Sequence, residues 1–456
     1  MRRLHNAVCR ALLALCVSLL CLPVLPARAG EAYGAVPPGP AADDLHGGRY
    51  GAVRIETDDP VLESAARRWV QDLHPGATID EKALQRRLQL LKALPGVDSK
   101  SVLGTREDGT RDLSLKLERG PRYSGFVSLD NHGSRFTGDQ RARFGLEVPS
   151  LWTLGDSLTL DANRRWHGTW VANLGYTLPL GIDGWSFHAE LERSYYQWHR
   201  ERRSLGASGT TDLLLLELAY PLWLGDAGSL YASVGLERTH LDDRAQPRAA
   251  PAVKEHRRLD MVPLKLTFKN ERGGSKTSGR LMLGLGRLKL DHALGAQDRS
   301  TARAEGRYRL FSADLRHERT LAKDWTLLGR FVGQKASRNL DSEKWFEASG
   351  PQRIRAWTTI EAQGDEGWLL QTELLYHIGH TQPFVFVDIG QVKLRHRPWH
   401  RSDNWHSLAG AGPGLRWNEE FWSAQAVVAW RTGGHRPRSR PGYKNPRIWL
   451  AVTYRF

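Results

Sequence analysis

From Tyr123 to Phe456 the chain alternates apolar and polar residues with a period of two, in segments of about ten residues separated by polar turns. At 168–178, Trp170, Ala172, Leu174, Tyr176 and Leu178 fall on one face, and Asn173, Gly175 and Thr177 on the other. At 212–222, Leu214, Leu216, Leu218 and Tyr220 oppose Leu213, Leu215, Glu217 and Ala219. At 262–269, Val262, Leu264, Leu266 and Phe268 oppose Pro263, Lys265, Thr267 and Lys269. Sixteen such segments start near residues 122, 138, 155, 168, 184, 209, 228, 258, 276, 304, 323, 366, 382, 405, 421 and 446. An apolar sheet face in a soluble protein needs a covering layer, and no amphipathic helix is expected after residue 95. After the N-terminal 29 residues no uninterrupted apolar run reaches the roughly 18 residues of a membrane-spanning helix. The pattern therefore predicts an all-β transmembrane barrel of 16 antiparallel strands, with its apolar face on lipid and its polar face on a lumen.

Ahead of residue 120 the period is helical. Asp59 and Pro60 open a helix whose apolar face is Leu62, Ala66, Trp69, Val70 and Leu73. The run Thr78-Ile79-Asp80-Glu81 reads as a capping box for a second helix, with Leu84, Leu88, Leu91 and Leu94 as its stripe and Pro95-Gly96 as its stop. Strands are expected at 50–55, 97–104 and 112–118, the last with Leu113, Leu115 and Leu117 facing inward. The order strand, helix, helix, strand, strand resembles a polypeptide-transport-associated (POTRA) domain over residues 50–119.

Residues 1–29 read as a secretory signal: Arg2, Arg3 and Arg10, an apolar run from Ala11 to Leu25, and Ala27-Arg28-Ala29 before Gly30. A Pro/Gly/Ala-rich linker fills 30–49. All three cysteines (Cys9, Cys16, Cys21) lie in the signal, so no disulfide or thiol chemistry is expected of the exported chain. The net charge is +15, or 61 − 50 = +11 without the four signal arginines. Export and the lack of any recognised module argue against nucleic acid. Lipopolysaccharide, outer-membrane lipid or an acidic passenger fits better. The 17 Trp suit a membrane interface.

The last strand places Ile448, Leu450, Val452, Tyr454 and Phe456 on one face. Its terminal aromatic resembles the signal read by the bacterial barrel-assembly machinery. Other stretches carry a broader likeness. They are the barrel's opening at 123–138, Leu154-Gly-Asp-Ser-Leu158, Tyr176-Thr-Leu-Pro-Leu-Gly181, Ile354-Arg355-Ala356-Trp357 and Phe386-Val-Asp388-Ile-Gly390. In order and spacing the chain resembles a two-partner secretion transporter, the family of haemolysin-activation and filamentous-haemagglutinin secretion proteins.

That resemblance implies an outer-membrane translocator that exports an unfolded partner protein through its barrel without ATP, with the POTRA domain in the periplasm. It also implies a loop-to-barrel lock. Arg355, flanked by Ile354 and Trp357 on an inward-folding loop (336–365), would pair with Asp388, which shares a lumen face with Phe386 and Gly390. An Arg–carboxylate pair can be bidentate, which holds a loop at a defined depth. Ala356 stands where the family has Gly, which puts the loop's turn in question. Candidate passenger contacts are the strand edge at Val97, Ser99, Ser101 and Leu103, and the lumen cations Arg143, Lys265, Lys269 and Arg330. Gly410, Gly412 and Gly414 share one face and are expected either to form a smooth bed for the loop or to mark a bulge. No enzyme, cofactor or metal is expected: His377 and His380 lack a third ligand in sequence, and Gly274-Ser275-Lys276-Thr277 lacks a phosphate-loop glycine. The competing readings are a barrel-assembly factor of the same superfamily and a plain porin or binding channel.

Overall fold

The computed structural model describes residues 48–134, 136–166, 168–198, 206–246, 252–400, 403–435 and 445–456. The expected signal and nearly all of the expected linker lie outside these residues. Two units are distinguished. The N-terminal one runs β1 (Tyr50–Glu56), α1 (Pro60–Val70), α2 (Glu81–Lys92), β2 (Val97–Thr105) and β3 (Arg111–Arg119). The Asp59 carboxylate caps α1 by accepting from the amides of Val61 (2.9 Å) and Leu62 (3.1 Å). Asp80 caps α2, accepting from the Ala83 amide at 3.1 Å. The cap is therefore Asp80 and not the expected Thr78, because the helix begins at Glu81. The sheet order is β1-β3-β2, with β1 parallel to β3. The central position of β3 explains the near-complete burial of Leu113, Leu115 and Leu117. It also leaves β1 as well as β2 at an edge.

The remaining period-two segments close into one antiparallel barrel. Its first half is β4 (Ser124–Asp130), β5 (Arg141–Pro149), β6 (Ser157–Arg165), β7 (Trp170–Leu180), β8 (Trp185–Gln197), β9 (Ser208–Gly225), β10 (Gly228–Ala245) and β11 (Val253–Arg272). The second half begins with β12 (Ser275–Leu290), β13 (Gly306–Ala322) and β14 (Trp325–Ala336). Two short loop strands, β15 (Phe346–Glu347) and β16 (Gln363–Gly364), pair only with each other. Then follow β17 (Glu366–Tyr376), β18 (Thr381–Lys393), β19 (Trp405–Asn418), β20 (Trp422–Gly434) and β21 (Arg447–Arg455). The barrel strands number sixteen, and each starts within five residues of its expected position. β21 pairs with β4, from Phe126–Arg455 to Asp130–Ala451, and so shuts the cylinder.

One rim carries only short turns, such as 226–227 and 273–274; the other carries 291–305 and 337–365. In outer-membrane barrels short turns are periplasmic and long loops extracellular. The long 291–305 connection contains a helix, α3 (His292–Ser300), capped by Asp291. The expectation of no helix beyond residue 95 is thus corrected, although α3 belongs to a loop and does not cover the wall. At the short-turn rim Trp185–Tyr220, Trp325–Tyr376 and Trp422–Tyr454 pair at ring-centroid distances of 4.7–4.9 Å.

The outer face is apolar, as the alternation requires: Val234, Leu236, Leu264, Leu283, Leu285, Val385 and Ile448 are all exposed. The inner face departs from the expectation of a uniformly polar lumen. Leu259, Met261, Leu288, Tyr308 and Leu310 point inward and are buried around Leu340. Leu369, Phe384, Phe386, Val392 and Leu408 are buried around Ile354 and Trp357. The reason is the loop 337–365, which packs against them in place of water.

Candidate functional site

The loop between β14 and β17 is built to turn back into the barrel. Its neck is the β15–β16 ladder, Phe346 opposite Gly364 and Glu347 opposite Gln363. Inside the neck, turn hydrogen bonds from the Ala348, Arg353, Ile354 and Trp357 amides satisfy a backbone that has left the sheet. The Asp365 carboxylate ties the loop's base, accepting from the amides of Leu340 (3.0 Å) and His396 (2.7 Å). Burial pushes the Asp365 carboxyl above its ordinary range, against the pull of those two amides.

At the loop's deepest point Arg355 is 3% exposed and Asp388 fully buried. Nε and Nη2 of Arg355 donate to the two Asp388 oxygens at 2.8 and 2.6 Å, and the Arg355 amide adds a third bond at 3.0 Å. Nη1 donates to Glu373 on β17. Glu373 in turn accepts from Arg416 on β19 at 2.6 Å. The cluster therefore balances two cations against two anions. The guanidinium carbon of Arg355 sits 3.7 Å from the Phe386 ring centroid, and that of Arg416 sits 4.3 Å from the Phe384 centroid. From the final strand, Trp449 donates its indole N–H to the Arg355 carbonyl at 2.7 Å. Trp357 donates to the Ala409 carbonyl at 3.2 Å.

The lock residues named from the sequence all converge here. Ile354 and Trp357 are buried, and a Cβ on Gly390 would lie 2.8 Å from the Ile354 side chain. Ala356 keeps a negative φ; the loop's positive φ values fall instead at Gly350 (122°) and Ile360 (75°). The loop therefore needs no glycine at 356. Of the glycine strip, only Gly410 meets the loop, where an added Cβ would lie 2.4 Å from that of Ala356. Gly412 would strike the Val428 carbonyl at 1.9 Å, and Gly414 the Phe384 ring at 2.2 Å. The expected bed is one residue long. Register also shifts beside it, between Ala409 and Gly410, so both expected readings apply in part.

Glu373, Arg416 and Trp449 were not anticipated. A signal existed for Glu373, which is an acid on the lumen face of the strand next to Asp388, with Gln371 opposite Asp388 and Glu373 opposite Phe386. Equally unanticipated is a second anchor. Arg257 on β11 bonds Asp341 of the loop at 2.6 Å and Asp243 on β10, to which the Tyr196 hydroxyl also donates at 2.7 Å. Lys344 of the loop bonds Glu237 on β10 at 2.6 Å. In the closed order β10 stands eight strands from β20, whose Arg431 lies 5.5 Å over the Trp357 ring. The loop therefore spans the bore from wall to wall.

The proposed passenger contacts fare unevenly. Lys265 is held by Glu217, and Arg330 by Asp314 at 2.7 Å and by the Gln352 carbonyl at 3.3 Å, so neither is a free lumen cation. Arg330 instead steadies the loop. Arg143 and Lys269 face inward and are exposed. On β2, Ser101 and Leu103 are exposed and Ser99 half-buried, but Val97 is 6% exposed and cannot present its side chain to a partner. Tyr454 and Phe456 lie exposed on the outer face of the final strand. His377 bonds the Thr326 hydroxyl at 3.0 Å.

Known proteins share this architecture. The chain is 23% identical to the heme/hemopexin transporter protein HuxB of Haemophilus influenzae, over 73% of this chain and 59% of that protein. It is 22% identical to the hemolysin transporter protein ShlB of Serratia marcescens, over 75% of this chain and 62% of that one. It thus spans about three-fifths of the length of these relatives. The solved structure of CdiB from Escherichia coli superposes with a TM-score of 0.73 at 16% identity, covering 90% of this chain and 76% of that one. CdiB from Acinetobacter baumannii gives 0.69 at 18%, covering 90% and 74%. The family model for the haemolysin secretion/activation protein ShlB/FhaC/HecB matches residues 109–417, which is well over half of the sequence. The chain belongs to that family.

Proposed function

We propose that this protein resides in the outer membrane and exports an unfolded partner protein through its barrel, with the loop 337–365 as the gate. The single observation that carries the reading is the loop spanning the bore, its tip held by the buried Arg355–Asp388–Glu373 group with the half-buried Arg416 balancing the charge. A plain porin needs no such closure. Beneath the loop a cavity of about 580 Å³ is lined by Lys276, Arg316, Glu318, Arg330, Gln371 and Glu373 among others, a polar lining suited to an extended polypeptide. The protein acts as a conduit and not as an enzyme; the acids of the lock are engaged by arginines rather than poised on a substrate. The secreted passenger meets the N-terminal unit first, along the exposed part of β2 at Ser101 and Leu103, by strand addition. Folding of the passenger outside supplies the direction in place of ATP.

The test is secretion together with bilayer conductance of the full-length protein. Deleting residues 50–119 should leave an inserted barrel that no longer exports. Wild-type channels should be mostly closed. A steadily open wild-type channel, or export unaffected by the deletion, removes the reading.

A further inference from the structure

On the outer wall of β10–β13, just above the apolar belt at the long-loop rim, the lipid-facing positions turn abruptly basic. Arg238, Arg258, Arg287, Lys289, Arg307 and Arg309 gather there, with Asp260 in their midst and Asp212 and Asp242 at the margin. Arg238 and Arg258 bond Asp260 at 2.6 and 3.2 Å. Asp260 also stands directly opposite Arg287, and its charge reaches Lys289, so a single carboxylate answers several of the six cations. The register makes this arrangement costly. Arg287 is directly opposite Arg307, and Arg258 directly opposite Lys289, so two like-charge cross-strand pairs sit side by side. One carboxylate, Asp260, stands against six cations, and an anion from outside would offset the excess.

The rows below specify what kind of anion. Leu236, Leu285 and Arg309 form the next row down; Val234, Leu264, Leu283 and Phe311 the row beneath, and all are exposed. A groove of about 850 Å³ runs between the two levels, bordered by Leu214, Leu236, Leu285, Arg287 and Arg307. Arginine suits phosphate because its planar fork donates two parallel hydrogen bonds. We infer that this face is a binding site for a phosphorylated glycolipid of the outer leaflet, the lipid A part of lipopolysaccharide. Its sugar phosphates lie on Arg287, Arg307 and Arg309, and its acyl chains on the leucine belt below. The single phosphate of phosphatidylglycerol cannot serve cations spread over four strands.

The inference rests on the outer-membrane placement but not on export, and it is read on purified protein, so it can fail while secretion stands. Full-length protein in detergent is titrated with bisphosphorylated lipid A, the same glycolipid stripped of phosphate, and phosphatidylglycerol, with adducts counted by native mass spectrometry. Bisphosphorylated lipid A should bind best. The triple variant Arg287→Gln/Arg307→Gln/Arg309→Gln should weaken it by roughly tenfold or more, with heat-modifiable gel mobility showing an intact barrel. The single variant Arg307→Gln gives a second reading if the triple variant does not fold. Equal binding of the dephosphorylated glycolipid or of phosphatidylglycerol, or undiminished binding by folded variants, overturns the proposal.

Discussion

The loop is fastened at two walls in different ways. On the β17–β21 side Arg355 spends its guanidinium on two carboxylates, its carbonyl on Trp449 and its amide on Asp388, all beneath the aromatic ring of Phe386. On the β10–β11 side the fastening is a pair of separate bridges, Arg257 to Asp341 and Lys344 to Glu237. Side chains there keep 7–15% exposure against 0–7% for Arg355, Asp388 and Glu373. A dry multidentate anchor holds one geometry and fails abruptly when a partner is lost, since the remaining charges stay buried. A damper, divided anchor yields in steps. The difference suits a gate that releases its far shoulder first and its deep tip last.

Arg355→Ala attacks the stronger side. It strands Asp388 and leaves Glu373 only Arg416, and the expected loss of loop docking is about 3–5 kcal/mol. Bilayer recordings should show sustained opening, and export should fall. The double variant Arg355→Ala/Asp388→Ala should cost less than the sum of the two single changes; strict additivity would mean that the pair is not the lock.

Lys344→Met attacks the far shoulder. Loss of one charge-assisted bond should cost about 1.5–3 kcal/mol. Faster flicker and quicker hydrogen exchange at 340–346 are expected while exchange around 354–357 stays slow. Equal acceleration at both ends would mean the anchors act as one.

Gly410→Val tests the bed of the tip, where the new side chain collides with Ala356; overpacking of about 1–3 kcal/mol should loosen the tip. Gly412→Trp instead strikes the backbone of β20 and reports on strand pairing. A barrel that melts less readily with Gly412→Trp than with Gly410→Val would contradict this assignment. Smallest is Trp449→Phe, which removes one hydrogen bond worth about 0.5–1.5 kcal/mol. It should raise the opening frequency slightly without a change in heat-modifiable mobility.

Much of this was legible along the chain, for identifiable reasons. A membrane wall must hide its backbone polar groups in a closed ladder and show lipid an apolar face, so the alternation declares both strands and sides. That is why β9 to β14 could be placed from Leu214, Leu264 and their neighbours alone. Arg355 and Asp388 were reachable because the segments around them resemble a known family. Their four-membered network was not, because Glu373 and Arg416 reveal themselves only when β17, β18 and β19 stand side by side in register. The inward apolar clusters misled for a related reason: period two tells which way Leu259 or Phe384 points, but not whether water or a returning loop waits there.

By itself the sequence determined the number of strands, their faces and the polarity of the wall, since those follow from local alternation and the energetics of lipid. Only the tertiary structure decided that the loop reaches both walls, that Trp449 of the last strand holds the Arg355 carbonyl, and that cations on four separate strands gather on one outer face. Those contacts join residues tens to hundreds of positions apart, and the geometry that brings them within bonding distance exists only once the sheet has closed.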